Sequence, residues 1–127
     1  MKKAIETPKA PAPIGPYSQA IEINDLLFLS GAIAIDPRTG NLVQDSLEDE
    51  VHQVMRNVKA VLEAGGAQLQ DVVKASIFIT DMNDFSRINA VYGSYFEEPF
   101  PARETVQVAR LPKDVRVEIS VIAKKSS

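Results

Sequence analysis

Two charged residues of this chain have the types and surroundings needed for chemistry on a small molecule. Arg103 follows Pro101-Ala102, so a stiff segment fixes where its guanidinium begins, and that planar group suits a carboxylate through two parallel hydrogen bonds. Glu118 interrupts an apolar, β-branched run, where a buried carboxylate needs a partner or a function. The alternatives are a solvated charge for Arg103 and, for Glu118, an outward-facing position beside Arg116 and Ser120.

Four uncharged residues are further candidates for a pocket. Asn89 lies on the apolar face of a predicted helix, where it either binds a ligand or makes a structural hydrogen bond. Tyr17 follows Gly15-Pro16, and its ring either covers a pocket or packs with only the hydroxyl in water. Ser30-Gly31 either lets a ligand approach the backbone or marks a bulge. His52 flanks the apolar stripe of a helix and is given no role.

Composition excludes several kinds of chemistry. There is no cysteine, which removes thiol nucleophiles, disulfides and cysteine-bound metals. One histidine leaves no histidine pair for a metal, and no phosphate-binding glycine loop or dinucleotide fingerprint is present, so we expect neither a metal nor a cofactor. The net charge of −3 argues against nucleic acid, although residues 103–125 hold six basic and three acidic side chains.

The length and the amino terminus predict one domain, spanning residues 1–127, in the cytoplasm. Met1-Lys2-Lys3 is not followed by an apolar stretch of signal-peptide length. Apolar runs such as Leu26 to Leu29 are far shorter than the ~20 residues that cross a bilayer. We therefore expect no membrane association.

The first half of the chain predicts an arm, a hairpin and a helix. The predicted elements are an extended arm over the first dozen residues, a turn at 14–17, strands over 18–23 and 26–35 separated by a turn at 24–25, a turn at 36–40, and a helix from Ser46 to Gly65-Gly66. Pro8, Pro11 and Pro13 keep the arm extended. Ser46 is a good helix cap, and the two glycines are typical of a helix end.

The second half predicts a strand, a helix and two more strands. They are a strand over 72–80, a helix after Asp81 with apolar positions from Phe85 to Phe96, a short strand over 104–108, a turn at 111–114, and a long strand over 115–123. In the first strand Val73, Ala75, Ile77 and Ile79 share one side. In the last, Val115, Val117, Ile119 and Val121 share one face, and Arg116, Glu118 and Ser120 share the other.

This order of elements predicts an α+β fold with a single sheet and two helices packed on one face. The other face of the sheet would be partly apolar and exposed in a monomer. A symmetric oligomer is its natural cover, and pockets would then form between subunits.

Seven segments, in order along nearly the whole chain, resemble the reactive-intermediate deaminase family, RidA, also called YjgF. They are Ile14-Gly15-Pro16-Tyr17-Ser18-Gln19, Ser30-Gly31, Asn57-Val58-Lys59-Ala60, Asp71-Val72-Val73-Lys74, Asn83-Asp84-Phe85, Pro101-Ala102-Arg103, and Leu111-Pro112 through Val117-Glu118-Ile119. The resemblance implies a chorismate-mutase-like fold and a homotrimer with pockets in the clefts between subunits. It implies hydrolysis of 2-iminobutanoate and 2-iminopropanoate, unstable products of pyridoxal-phosphate-dependent threonine and serine dehydratases, to 2-oxo acids and ammonia.

The resemblance also implies the roles of individual residues. Arg103 stands for the carboxylate-binding arginine and Glu118 for the acidic residue, and the pocket takes in Tyr17, Ser30, Gly31, Asn89 and Thr105. Some members have cysteine in place of Thr105, so we expect the backbone carbonyl there to matter. Ser120 stands where a second glutamate is common.

The implied mechanism is that Arg103 holds the substrate carboxylate while Glu118 and the Thr105 carbonyl hold a water, with the Gly31 N–H as a donor. A nearby Arg103 would lower the pKa of Glu118, which favours water orientation over strong base catalysis. Two alternatives remain open. One is a non-catalytic module that binds small carboxylates or 2-oxo acids, and the other is RNA binding or cleavage through the basic carboxyl-terminal segment.

Overall fold

A computed structural model describes residues 1–126 as one mixed sheet with helices on one side. The elements are β1 (Lys3–Ile5), β2 (Ala20–Ile23), β3 (Leu26–Leu29), α1 (Leu47–Ala64), β4 (Val72–Ile79), α2 (Phe85–Gly93), β5 (Ala102–Gln107) and β6 (Val117–Lys124). The sheet order is β1-β2-β3-β6-β4-β5, with β4 and β5 parallel and the other neighbours antiparallel. The predicted α+β architecture is confirmed.

Helix α1 forms for the reasons that its sequence predicts. The Ser46 hydroxyl accepts a hydrogen bond from the Asp49 N–H at 3.0 Å, and acidic residues fill the first turn. The buried apolar stripe consists of Leu47, Val51, Val54, Met55, Val58, Val61 and Leu62. Gly66 follows the helix with a φ of 83°, which is a conformation that favours glycine. The stripe packs α1 against β3 and β6 and against α2.

Strand β6 has two different faces, as predicted. The buried residues are Val117, Ile119, Val121 and Ala123, and they lie beneath the helices. Glu118 and Ser120 alternate with them and face the other side, where they are half-buried. Strand β6 therefore has one face in the hydrophobic core and one face that is partly exposed to solvent.

The second face of the sheet carries no helix among residues 1–126. Phe28 and Val106 are each 40% exposed on it. Lys74 Nζ lies 3.0 Å from a Glu104 carboxylate oxygen there, and the Ser76 hydroxyl donates to the same carboxylate. This face thus combines exposed apolar side chains with a small charged cluster.

The hairpin differs from the prediction in two ways. The arm contributes an additional strand, β1, which pairs with β2. The predicted strand over 26–35 ends at Leu29, and beyond it two isolated bridges join Ala32 to Ile119 and Ile35 to Leu42. In this segment Asn57 Nδ2 of α1 donates to the carbonyls of Ile33 and Ile35 at 3.0 and 2.8 Å. A buried side-chain amide thus supports the backbone that follows β3.

Three predictions about side-chain faces and helix ends were wrong. A bulge lies between Val72 and Lys74, which turns Val73 outward, away from the buried face. Arg116 does not share the face of Glu118, since its side chain and backbone N–H both donate to the buried carboxylate of Glu50 on α1. Helix α2 ends at Gly93, before Phe96, which still packs in the core.

Candidate functional site

The Arg103 guanidinium is held in place by helix α2. Arg103 pairs with Ala75 of β4, so its side chain lies on the helix-covered side of the sheet. Arg103 Nη1 donates to Asn89 Oδ1 at 2.6 Å, and the guanidinium carbon lies 5.6 and 5.2 Å from the ring centroids of Phe85 and Tyr92. A hydrogen bond and two cation–π contacts thus orient a cation that remains exposed.

The rest of the guanidinium is available to a ligand. It borders a cavity of about 440 Å³ lined by Asn89, Tyr92, Gly93, Phe100, Pro101 and Arg103. An arginine has five N–H donors, and within residues 1–126 Asn89 is the acceptor that engages one of them. The others can bind a carboxylate in the two-pronged manner that the guanidinium geometry favours.

Thr105 offers its backbone beside this arginine. The Val108 N–H donates to the Ile79 carbonyl at 2.8 Å. Because bonding alternates along a parallel ladder, the N–H and carbonyl of Thr105 point to the free edge of β5. Its side-chain hydroxyl is buried and has no partner among the described residues. The carbonyl predicted to hold a water is therefore open, on the same strand as Arg103.

Glu118 lies in a separate cavity of about 420 Å³. The cavity is mostly apolar and is lined by Pro11, Ala12, Ile14, Tyr17, Gln19, Ser30, Gly31, Ala32, Ile33, Ile35, Asn57, Val61, Pro112 and Glu118. Gly31 is in close contact with the carboxylate, since a Cβ built on Gly31 would lie 2.7 Å from Glu118 Cδ. A side chain at position 31 would therefore displace the Glu118 carboxylate from this position.

The Glu118 carboxylate has no hydrogen bond or ion pair to any residue of the described chain. Burial raises the pKa of this carboxyl. Within one chain Arg103 does not lower this pKa, and its effect on a Glu118 of another copy stays a prediction. Arg103 lies beside Ala75 of β4, and Glu118 lies beside Phe78 of the same strand. Because Ala75 and Phe78 are three residues apart in a strand, their side chains, and those of Arg103 and Glu118, lie on opposite faces of the sheet.

Tyr17 and Ser30 both line the Glu118 cavity, as predicted. The Ser30 hydroxyl donates to the Ser18 carbonyl at 2.6 Å, so it fixes the local backbone. Tyr17 is 50% exposed, and its hydroxyl accepts from the Ile14 N–H at 3.4 Å. Its ring is therefore available to cover a ligand.

Two buried amides that the sequence pattern does not mark as site residues hold the walls of this cavity. Gln19 bonds the arm, and Asn57 bonds the segment that follows β3. Asn57 sits within the apolar stripe of α1, next to Val58 and three residues after Val54. A buried amide in such a stripe needs hydrogen-bond partners, so the position of Asn57 in the stripe was the sequence signal for its structural role.

The predicted site residues therefore form two half-sites in one chain. The arginine half-site consists of Arg103, Asn89 and Thr105, and the glutamate half-site consists of Glu118, Gly31, Ser30 and Tyr17. His52 belongs to neither, since its Nδ1 lies 2.7 Å from the Tyr95 hydroxyl. In residues 1–126 no cluster of three acidic, histidine or cysteine side chains could bind a metal. No helix in that range is long and apolar enough to cross a membrane.

The chain thus combines an α+β sheet with an oriented, exposed arginine and, in a separate cavity, a carboxyl without a partner among the described residues. The chain matches the family model described as Endoribonuclease L-PSP over residues 7–125. It belongs to this family, which is also called RidA or YjgF.

Individual relatives match over nearly their whole length. A RutC family protein of Pyrococcus horikoshii is 53% identical over 98% of this chain and 99% of its own length. A Dermatophagoides farinae protein named 2-iminobutanoate/2-iminopropanoate deaminase is 52% identical over 95% of this chain and 94% of its own. The structure of Escherichia coli TdcF with bound serine is 46% identical, covers 98% of this chain and 99% of that chain, and has a TM-score of 0.92.

Proposed function

We propose that this chain hydrolyses 2-imino acids, among them 2-iminobutanoate and 2-iminopropanoate, to 2-oxo acids and ammonia. The arginine half-site of one copy would meet the glutamate half-site of another, in a homotrimer. The observation that carries the proposal is the separation of Arg103 and Glu118 within one chain. Arg103 is oriented and ready for an anion, whereas Glu118 lies in an apolar cavity without a partner. Relatives named as deaminases support this choice of reaction.

The chemistry needs one water and no cofactor. Arg103 binds the substrate carboxylate through its free N–H donors and so fixes the imine carbon. Glu118 and the Thr105 carbonyl accept hydrogen bonds from a water that attacks this carbon, and the Gly31 N–H donates to the substrate. The water's proton passes by way of Glu118 to the substrate nitrogen. The hydroxyl proton of the resulting aminoalcohol then moves, again by way of Glu118, to the amino group. The C–N bond breaks as the C=O bond forms, and ammonia and the 2-oxo acid leave.

Self-association also accounts for the uncovered sheet face. Phe28 and Val106 on this face are exposed in one chain, and burial against other copies would remove that apolar surface from water. In this proposal the substrate comes from pyridoxal-phosphate-dependent threonine and serine dehydratases in the cytoplasm. Such imines hydrolyse without help, so positioning and modest proton transfer are sufficient catalysis.

The test of the reaction couples the protein to a threonine dehydratase with semicarbazide present to trap the imine. Loss of trapped adduct in proportion to added protein is the expected result. If 2-oxobutanoate binds in calorimetry but the trapped adduct is unchanged over a wide range of protein concentration, the chain is a carboxylate-binding module and not a deaminase. Salt-sensitive RNA binding or cleavage in place of imine loss would favour the RNA alternative.

The test of the shared site is complementation between two variants of low activity. Arg103→Ala and Glu118→Ala are each expected to keep only a small residual activity alone. In randomly mixed oligomers made by co-expression, about one quarter of the sites would combine an intact Arg103 with an intact Glu118, so about that share of activity should return. The same two proteins, purified separately and mixed without subunit exchange, are the control. No recovery in verified mixed oligomers would contradict a site shared between copies.

A further inference from the structure

The wall of the glutamate half-site includes a segment that has almost no backbone support. Residues 7–13 follow β1 and contain Pro8, Pro11 and Pro13, which lack an N–H donor. Within residues 1–126, no backbone-to-backbone hydrogen bond joins this segment to the rest of the fold. Yet Pro11 and Ala12 line the cavity that holds Glu118. Something other than sheet pairing must keep this wall in position.

The side-chain amide of Gln19 supplies that support. Gln19 Nε2 donates to the carbonyls of Thr7, Ala10 and Pro11 at 3.1, 3.3 and 2.8 Å, and Gln19 Oε1 accepts from the Thr7 N–H at 2.7 Å. A segment rich in proline has more carbonyl acceptors than N–H donors, and an amide with two donor hydrogens corrects this imbalance. Gln19 is itself buried and lines the same cavity.

We propose that Gln19 is a positioning residue for the glutamate half-site: its amide fixes residues 7–11 and thereby places the wall, Pro11 and Ala12, against the substrate. The proposal rests on the function proposed above. Gln19 need not touch the reacting atoms, because it acts through the arm. Its loss would widen the cavity and admit water around Glu118.

The test uses Gln19→Leu in the full-length chain, since leucine keeps the size of the side chain but cannot form the four hydrogen bonds. The KM for 2-iminobutanoate should rise about tenfold while kcat changes less than about threefold, because the wall contributes binding and not chemistry. The Thr7 amide, which donates to Gln19, should exchange its hydrogen at least about tenfold faster. Water entering the cavity should move the acidic limb of the pH–rate profile to lower pH, since burial raises the Glu118 pKa.

The matched control is Val72→Ala, a buried change at the start of β4 that lines neither cavity. It should lower the melting temperature and leave KM, Thr7 exchange and the pH limb unchanged. If Gln19→Leu does not fold, Gln19→Asn serves, because it keeps the amide but is one methylene too short to reach the arm.

The outcomes separate this proposal from the function beneath it. Unchanged Thr7 exchange in Gln19→Leu would overturn the anchoring role, whatever the activity. Faster exchange with unchanged KM would overturn the link between the arm and the substrate. Absence of imine hydrolysis in the unmodified protein would overturn the deaminase function. The Thr7 exchange rate in Gln19→Leu would still test whether Gln19 anchors the arm.

Discussion

The arginine and glutamate half-sites differ in how the surrounding residues stabilise their charged groups. Arg103 is exposed, oriented by Asn89 and flanked by aromatic rings, so its charge is stable without a substrate. Glu118 is half-buried among apolar residues and has no partner in the described chain, and burial raises its pKa. On the proposed function, the oriented cation attracts the anionic substrate and the carboxyl without a partner, on the opposite face of the sheet, acts on water.

The largest effect is expected from changing the geometry of the cation and keeping its charge. In Arg103→Lys, an ammonium group replaces the planar guanidinium, so the two parallel hydrogen bonds to the substrate carboxylate are lost. We expect kcat/KM to fall by about 10²-fold or more. Steady-state imine hydrolysis measures this loss. Arg87→Lys is the control, because it makes the same substitution at an arginine whose ion pair, with Glu48 at 2.8 Å, is exposed. A loss below tenfold for Arg103→Lys would mean that charge alone prepares this half-site.

The next effect tests the close contact in the glutamate half-site. The Cβ of Gly31→Ala would collide with the Glu118 carboxylate, so we expect a loss of about 10²-fold in kcat/KM. A double-mutant cycle with Glu118→Ala identifies the cause. If the collision is the cause, the double variant is no worse than Glu118→Ala alone. Additive losses would show that Gly31 acts independently of the carboxylate.

A smaller effect is expected from the residue that orients the arginine. Asn89→Ala removes the acceptor of the Arg103 hydrogen bond but leaves both aromatic contacts, so kcat/KM should fall about tenfold, mainly through KM. Ser86→Ala, at an exposed position on the same helix, is the control. Equal losses in the two variants would argue that α2 does not prepare Arg103.

The smallest effect concerns stability and has a definite sign. The folded-state pKa of Glu118 is raised from its ordinary value of 4.5, so the fold favours the protonated carboxyl. Stability from this group is fully present below pH 4.5 and is lost as the pH rises through the folded pKa. Glu118→Gln should therefore have a larger free energy of unfolding than the unmodified chain at neutral pH, and this difference should vanish in acid. Urea unfolding at both pH values measures it, and a less stable variant at neutral pH would contradict this account.

Local patterns in the sequence predicted the elements but not how the site is divided. The α1 stripe and the alternation along β6 predict helix and strand, because each depends on neighbouring residues. Arg103 and Glu118 were also recognisable as candidates. Their separation depends on the register of β4 with both β5 and β6, and this is a long-range property with no local signal.

Three further features escaped prediction because they depend on contacts between distant parts of the chain. Asn57 binds the carbonyls of Ile33 and Ile35, more than twenty residues earlier. The bulge after Val72 reverses the side of Val73. Gln19 looks like an ordinary polar residue in an alternating segment, and its role depends on an arm that is close to it only after folding.

If other copies of the chain cover the exposed sheet face, as the proposed function requires, activity depends on protein concentration. A site completed within one chain keeps its specific activity on dilution, whereas a site shared between copies loses it once the copies separate. On the proposed function, specific activity should stay constant above the dissociation constant of the oligomer and decline steeply below it. Dilution would then inactivate this protein without unfolding a single chain.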